Sequence, residues 1–206
     1  LPPKLATYQA VIVPIFKTDA EKSAVMETAR KMKSALQQAG IRVTLDEREG
    51  ASPGWKFNDW EMRGVPVRIE LGPKDVAKQS AVLARRDRPG REGKSSAALA
   101  EIAPSVARLL DDVQKSLFDR ALAFRLANTH ETKTYQEFQR AVENGFALAF
   151  WCGSADCEAK IKEETHATMR CIPLDEASAG GKAASGSGTC ICCGKPASER
   201  AIFGRA

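Results

Sequence analysis

Two sets of residues have the types and spacing to do chemistry. Cys152 and Cys157 form one closely spaced pair, and Cys190 and Cys192 form another. Two such pairs can close a tetrahedral thiolate site, because each supplies two adjacent corners and the chain between them only has to return. Cys190 and Cys193 are an equally good chelating pair, and spacing alone does not separate the two sets. A metal held by four thiolates would be structural, since no position stays open for water. Cys171, in Arg170-Cys171-Ile172-Pro173, falls on a predicted strand and reads as a buried free thiol. His130 and His166 are lone histidines without ligand context.

The second set lies between Trp55 and Lys74. On a helix, Phe57, Trp60 and Glu61 stand at i, i+3 and i+4 and share one face. Arg68 projects from a strand on the face opposite Val67 and Ile69, and Lys74 follows that strand's C-terminal end, where α/β sheets place ligands. An aromatic platform, a carboxylate and two cations around one groove suit an unstacked guanine. Its Watson–Crick edge donates to a carboxylate, while O6 and N7 accept from Arg or Lys. The competing reading is structural: Trp55, Phe57 and Trp60 pack the core, and Glu61 pairs with Arg68 on the surface. Trp60 is the candidate for pure packing. A third group, Arg85, Arg86, Arg88, Arg91 and Lys94, crowds around Pro89-Gly90, either as a solvated tip or as a phosphate contact.

These residues need elements to hold them. Tyr8 to Ile15 reads as a buried strand, and Thr18-x-x-Glu21 is a capping box. It opens a helix with Val25, Ala29, Met32, Leu36 and Ala39 on one stripe, closed by Gly40. Ile41 to Leu45 is a second strand, so the first two strands form a parallel βαβ unit. A Gly/Pro turn, a helix over Trp55–Arg63 and a strand over Val65–Leu71 follow, then a hairpin about Pro89-Gly90. From Pro104 a long helix runs to Leu126 with Val106, Leu110, Val113, Leu117, Ala121 and Phe124 as its buried stripe. Thr134-x-x-Glu137 caps another helix, Phe146 to Trp151 is an apolar strand, and Ala177 to Thr189 reads as a flexible small-residue loop. The expected organisation is an α/β domain over 1–103, a connecting helix over 104–127 and a small α+β domain over 128–206.

The 206 residues carry 31 Lys and Arg against 26 Asp and Glu, a formal charge of +5. That mild excess permits a nucleic-acid partner without requiring one. No apolar run approaches the ~20 residues of a membrane span. The thiol pattern favours reduced cysteines and the cytoplasm over a secreted disulfide scaffold. The opening Leu1-Pro2-Pro3-Lys4 reads as a cut end of something larger.

The run Pro53 to Asp75, PGWKFNDWEMRGVPVRIELGPKD, resembles the anticodon-binding domain of prolyl-tRNA synthetases, and more loosely that of their class IIa relatives. The resemblance extends along the chain, from LPPKLA…VIVPI to the closing IFGRA, and the spaced cysteines are similar to the eukaryotic and archaeal-type branch. It implies a class IIa anticodon-binding domain with a mixed sheet flanked by helices, followed by a zinc-binding domain. It further implies that Phe57, Glu61, Arg68 and Lys74 contact the two adjacent guanines of proline anticodons. The resemblance selects Cys152, Cys157, Cys190 and Cys192 as ligands of a structural Zn2+. Implied partners are tRNA(Pro) and the synthetase's own catalytic core, with a homodimer for the full-length enzyme. ATP would belong to that core; nothing here carries its motifs, so this segment alone is expected to activate no proline. The family typically ends in Tyr, whereas this chain stops at Ala206. Two alternatives stand beside this reading: a freestanding tRNA- or protein-binding module related to these domains, and a thiol-redox enzyme using Cys190, Cys192 and Cys193.

Overall fold

The computed structural model describes residues 1–176 and 182–205. The chain divides into two compact units, Leu1–Asp119 and Arg120–Ala206.

The first unit is built on a five-stranded sheet in the order β2-β1-β3-β4-β5. β1 (Ala10–Pro14) lies between β2 (Val43–Leu45) and β3 (Val67–Leu71) and is parallel to both. β4 (Ser80–Arg85) and β5 (Lys94–Ala98) continue antiparallel, the expected hairpin. α1 (Asp19–Gln38) crosses from β1 to β2, and α2 (Pro53–Met62) returns from β2 to β3. The Thr18–Glu21 capping box is present in both directions, satisfying two otherwise orphaned N–H groups of the first turn. Val25, Met26, Ala29, Met32 and Leu36 form the buried stripe of α1.

Alternation along the strands divides the side chains between two faces. Ala10, Ile12, Val67, Ile69 and Leu71 pack with α1 and with Val106 and Leu110 of α4 (Ile102–Ala127) into the main core. Each fully buried aliphatic side chain there contributes about 1.5–3 kcal/mol. On the other face Val11 and Val13 meet Trp60 and Val65, with Phe57 at the edge. That second cluster is small, so α2 covers only part of its face. Arg68 and Glu70, which alternate onto it, line its polar remainder.

The stripe expected along α4 is buried at Val106, Leu110 and Val113, but Phe124 is 63% exposed. The helical period continues past Val113 while the burial does not, because periodicity reports which residues share a face and not whether a neighbour covers it.

In the second unit β6 (Thr129–Glu131), β7 (Phe146–Trp151), β10 (Pro196–Arg205) and β8 (Ala167–Cys171) form a sheet in that order, with β9 (Ser185–Thr189) paired to the start of β10. α5 (Tyr135–Asn144), opened by the Thr134–Glu137 capping box, packs Phe138 edge-on against Phe203, with ring centroids 5.2 Å apart. α6 (Ala155–Thr165) adds Ile161 to the same core.

Two expectations change here. The small-residue stretch is not a loop throughout: Ser185–Thr189 is a strand, while 177–181 lie outside the described residues. Its glycines have little intrinsic strand preference, but pairing with β10 recruits them, and the Phe150 ring requires one of them. A Cβ on Gly188 would stand 2.4 Å from that ring. Cys171 is on a strand as expected, yet exposed. The register shift between Ile202 and Phe203 of β10 falls where Cys171 pairs and takes it off the inward alternation.

Candidate nucleic-acid interface

The interface is assembled from the buried end of α2 outward. Asp46, just past β2, has a side chain sealed from solvent. Its carboxylate accepts from Arg48 Nε at 2.9 Å, Arg48 NH2 at 2.6 Å and Trp60 Nε1 at 2.8 Å. Lys56 Nζ, also buried, lies 3.7 Å away. Burial alone would raise the Asp46 pKa. The hydrogen bonds from Arg48 and Trp60, with the Lys56 charge, outweigh it and hold the carboxyl far below the usual carboxylate range. Arg48 also reaches Asp59 at 2.7 Å, and its guanidinium carbon lies 5.0 Å from the Trp55 ring centroid. Trp60 is therefore more than packing: it and Arg48 clamp α2 to the end of β2.

The clamp fixes which face of α2 looks over β3. Phe57 and Glu61, one turn apart, stand above Arg68, which sits in register between Val11 of β1 and Ala84 of β4. The Arg68 guanidinium carbon lies 3.9 Å from the Phe57 ring centroid, and NH1 donates to Glu61 Oε1 at 3.0 Å. Its Nε and NH2 both donate to Glu70 Oε1, at 3.1 and 3.0 Å. Lys94 Nζ, from β5, grips both Glu70 oxygens at 2.8 and 2.9 Å. These side chains form a continuous row of alternating charge, Lys94–Glu70–Arg68–Glu61. Lys94, Arg68 and Glu61 of this row line a cleft of about 280 Å³ with Arg86 and Arg88 at its rim, and the largely buried Glu70 links Lys94 to Arg68.

Three of the four expected base-contacting residues thus converge. Lys74 does not: it is exposed in the first turn of α3 (Pro73–Ala77), beyond the far end of β3, and does not line the cleft. Three strand residues from Arg68 to Leu71 already span ~10 Å, so the spacing that places Lys74 past the strand also carries it away from Arg68. The ion pair of the structural reading, Glu61 with Arg68, is present as well. Among the hairpin cations, Arg85 is committed to Asp87 at 2.6 Å, while Arg86 and Arg88 are exposed.

In the second unit, the Sγ atoms of Cys152, Cys157, Cys190 and Cys193 lie within 4.8 Å of one another. Cys152 is 3.6 Å from Cys157 and 3.7 Å from Cys193. A tetrahedral site with Zn–S bonds of ~2.3 Å has edges of ~3.8 Å, so this donor set fits a metal ion. The fourth thiol of the cluster is Cys193, where Cys192 was expected. Gly194 N–H donates to the Cys190 carbonyl at 2.9 Å, closing a turn that brings Cys193 round to the side of Cys190. Cys192 instead packs against the apolar core of the unit. The backbone there is also shaped for a thiolate. Burial raises the Cys190 pKa, but N–H groups of Cys193, Cys192 and Cys152 aimed at its sulfur bring it down to about 7. The Cys157 thiol is pushed up by burial and by the sulfurs of Cys193 and Cys152. His130 and His166 stay outside the cluster.

A mixed sheet flanked by helices is the architecture expected of an anticodon-binding domain, and the first unit matches that class. Residues 9–104 match the family described as "Anticodon binding domain", and residues 135–206 match "Prolyl-tRNA synthetase, C-terminal". The chain belongs to the prolyl-tRNA synthetase family, of which it carries the anticodon-binding and C-terminal domains. It is 46% identical over 206 residues to a proline–tRNA ligase of Roseiflexus castenholzii, covering all of this chain and 41% of that one. The proline–tRNA ligase of Chloroflexus aggregans is 48% identical over the same span, with 41% of its length covered. A chloroplastic/mitochondrial proline–tRNA ligase of Arabidopsis thaliana is 45% identical over 209 residues, with 37% covered. The chain therefore spans about two fifths of the length of these curated relatives. No helix among the described residues is long and apolar enough to cross a membrane.

Glu70, Asp46 and Arg48 were not marked by the sequence as site residues. Glu70 reads as one more polar position of an alternating strand, and Asp46 is simply the first residue past the strand that ends at Leu45. Only the strand register, which sets Lys94 opposite Ala84 and Ala84 opposite Arg68, reveals the row.

Proposed function

We propose that this chain recognises the anticodon of tRNA(Pro) as part of a proline–tRNA ligase, the enzyme that attaches proline to its tRNA using ATP. The single observation that carries the reading is the convergence of Phe57, Glu61 and Arg68 on one solvent-open cleft. A carboxylate and a guanidinium held side by side match the donor and acceptor edges of guanine, and the adjacent aromatic ring and guanidinium plane give a base a surface to stack on. Lys74, past the far end of β3, takes the neighbouring guanine of the pair. Arg86 and Arg88 on the rim take the phosphates of the anticodon loop.

The four-cysteine cluster holds Zn2+ on Cys152, Cys157, Cys190 and Cys193, bracing a domain with a small core. Thiolates in such a site persist in a reducing compartment such as the cytoplasm. ATP and proline are handled by a catalytic core of the same synthetase, which acts as a homodimer.

Filter binding of anticodon stem-loops tests the reading directly. Stem-loops carrying the two adjacent guanines should bind at least about tenfold more tightly than those with either guanine replaced, as a mismatched base costs about 1–3 kcal/mol. Equal affinity across the set would sink the proposal. Metal analysis of the same sample should return one zinc per chain.

A further inference from the structure

Arg68 is held twice. Glu61, at the cleft's open side, takes one terminal nitrogen, whereas Glu70 takes the Nε–NH2 edge from below. The two acids differ in standing. The Glu61 side chain is 49% exposed and free to turn toward a ligand; that of Glu70 is 12% exposed and locked by Lys94 through both oxygens. Arg68 therefore has one mobile and one fixed acidic partner.

We propose that Glu70, braced by Lys94, is a specificity-determining positioning residue that keeps Arg68 aimed at the O6/N7 edge of a bound guanine. The inference rests on the anticodon reading proposed above. When guanine enters, Glu61 exchanges its bond from Arg68 for the base's N1–H and N2–H donors, and the freed NH1 of Arg68 donates to the base. Without a second partner, Arg68 would follow Glu61 as that side chain turns away. Glu70 removes that option and keeps the guanidinium over the Phe57 ring, because a guanidinium fixed along one edge can present only the opposite edge. Lys94 neutralises the acid that would otherwise repel Glu61 and the incoming loop. The row thus works as a relay with one moving member, and the sequence distance between Glu70 and Lys94 is bridged by β4 alone.

The experiment compares stem-loops carrying guanine or 7-deazaguanine at the anticodon positions, bound by the wild-type chain and by Glu70→Gln and Lys94→Met variants. In the wild type, loss of N7 should weaken binding about fivefold. In Glu70→Gln, overall affinity should fall about tenfold and the N7 penalty should shrink below twofold, with Lys94→Met intermediate. Glu70→Asp should restore part of the N7 penalty. A Glu70→Gln chain that binds more weakly but keeps the full N7 penalty would show a purely structural role and overturn the inference. Should Glu70→Gln fail to fold, as read by its thermal transition, Lys94→Met decides alone: an undiminished N7 penalty there overturns the proposal. A wild type that prefers the paired guanines yet ignores N7 also overturns it while leaving anticodon recognition intact. Indifference to guanine altogether defeats both.

Discussion

The guanidinium carbon of Arg68 lies 3.9 Å from the centroid of the Phe57 ring, so the aromatic platform of the cleft is already covered by a cation before any base arrives. An aromatic face with a guanidinium on it is a composite surface: a base can stack on the exposed guanidinium plane or slide in beside it. Phe57→Ala should therefore weaken binding of the guanine-containing stem-loop about tenfold, a loss of ~1–3 kcal/mol for one stacked base. Phe57→Tyr should keep most of the affinity. Equilibrium filter binding at fixed salt reads both.

Glu61→Ala removes the proposed acceptor for the guanine Watson–Crick edge. Discrimination between stem-loops with and without the paired guanines should fall by at least about tenfold, while binding of the altered loop stays nearly unchanged. A uniform loss across all loops would instead mark Glu61 as a support for Arg68.

Arg86 and Arg88 should act through charge. Replacing both with Ala is expected to weaken binding of all stem-loops alike and to lower the slope of log K against log salt by about 0.7 for each phosphate that is no longer neutralised. A titration over several salt concentrations gives that slope.

Asp46 sets an acid limit on the first unit. Its carboxyl titrates far lower in the folded chain than the ~3.9 of an unfolded one, so the unfolded state binds the proton first as pH falls. Its contribution to stability is complete above about pH 5 and is lost progressively below pH 4. Asp46→Asn should cost about 3 kcal/mol at neutral pH, because Lys56 is left buried without a counter-charge, and should flatten the acid limb of stability. Denaturant unfolding between pH 2.5 and 7 measures both effects.

Cys193→Ser should abolish stoichiometric zinc and lower the thermal transition of the second unit, while Cys192→Ser should retain the metal. Metal analysis after dialysis separates the two; zinc retained by Cys193→Ser but lost by Cys192→Ser would reinstate the C-x-C ligand set.

Helical spacing alone places Phe57 next to Glu61, and strand alternation alone sends Arg68 to the opposite face from Val67 and Ile69, so that half of the cleft is legible in the sequence. Glu70 and Lys94 are not, because their meeting depends on the pairing of three strands, and register is a property of the folded sheet. Lys74 shows the converse limit: the sequence puts it past the end of β3 but carries no measure of how far that lies from the rest of the site. That Cys193 and not Cys192 joins the thiol cluster goes with the local turn, closed by the Gly194 N–H to the Cys190 carbonyl, which spacing does not encode. Ser185–Thr189 becomes a strand through its partner, against its own composition.

The row Lys94–Glu70–Arg68–Glu61 beside the cleft alternates plus and minus and sums to zero, whereas the rim carries an excess of plus. A polyanion gains from the rim whatever its sequence, yet finds no net attraction below it. On the proposed reading, grip and scrutiny are thereby assigned to separate depths: wrong loops would be let go as easily as they are caught, and only a base whose own polarity interlocks with the row would prolong its stay.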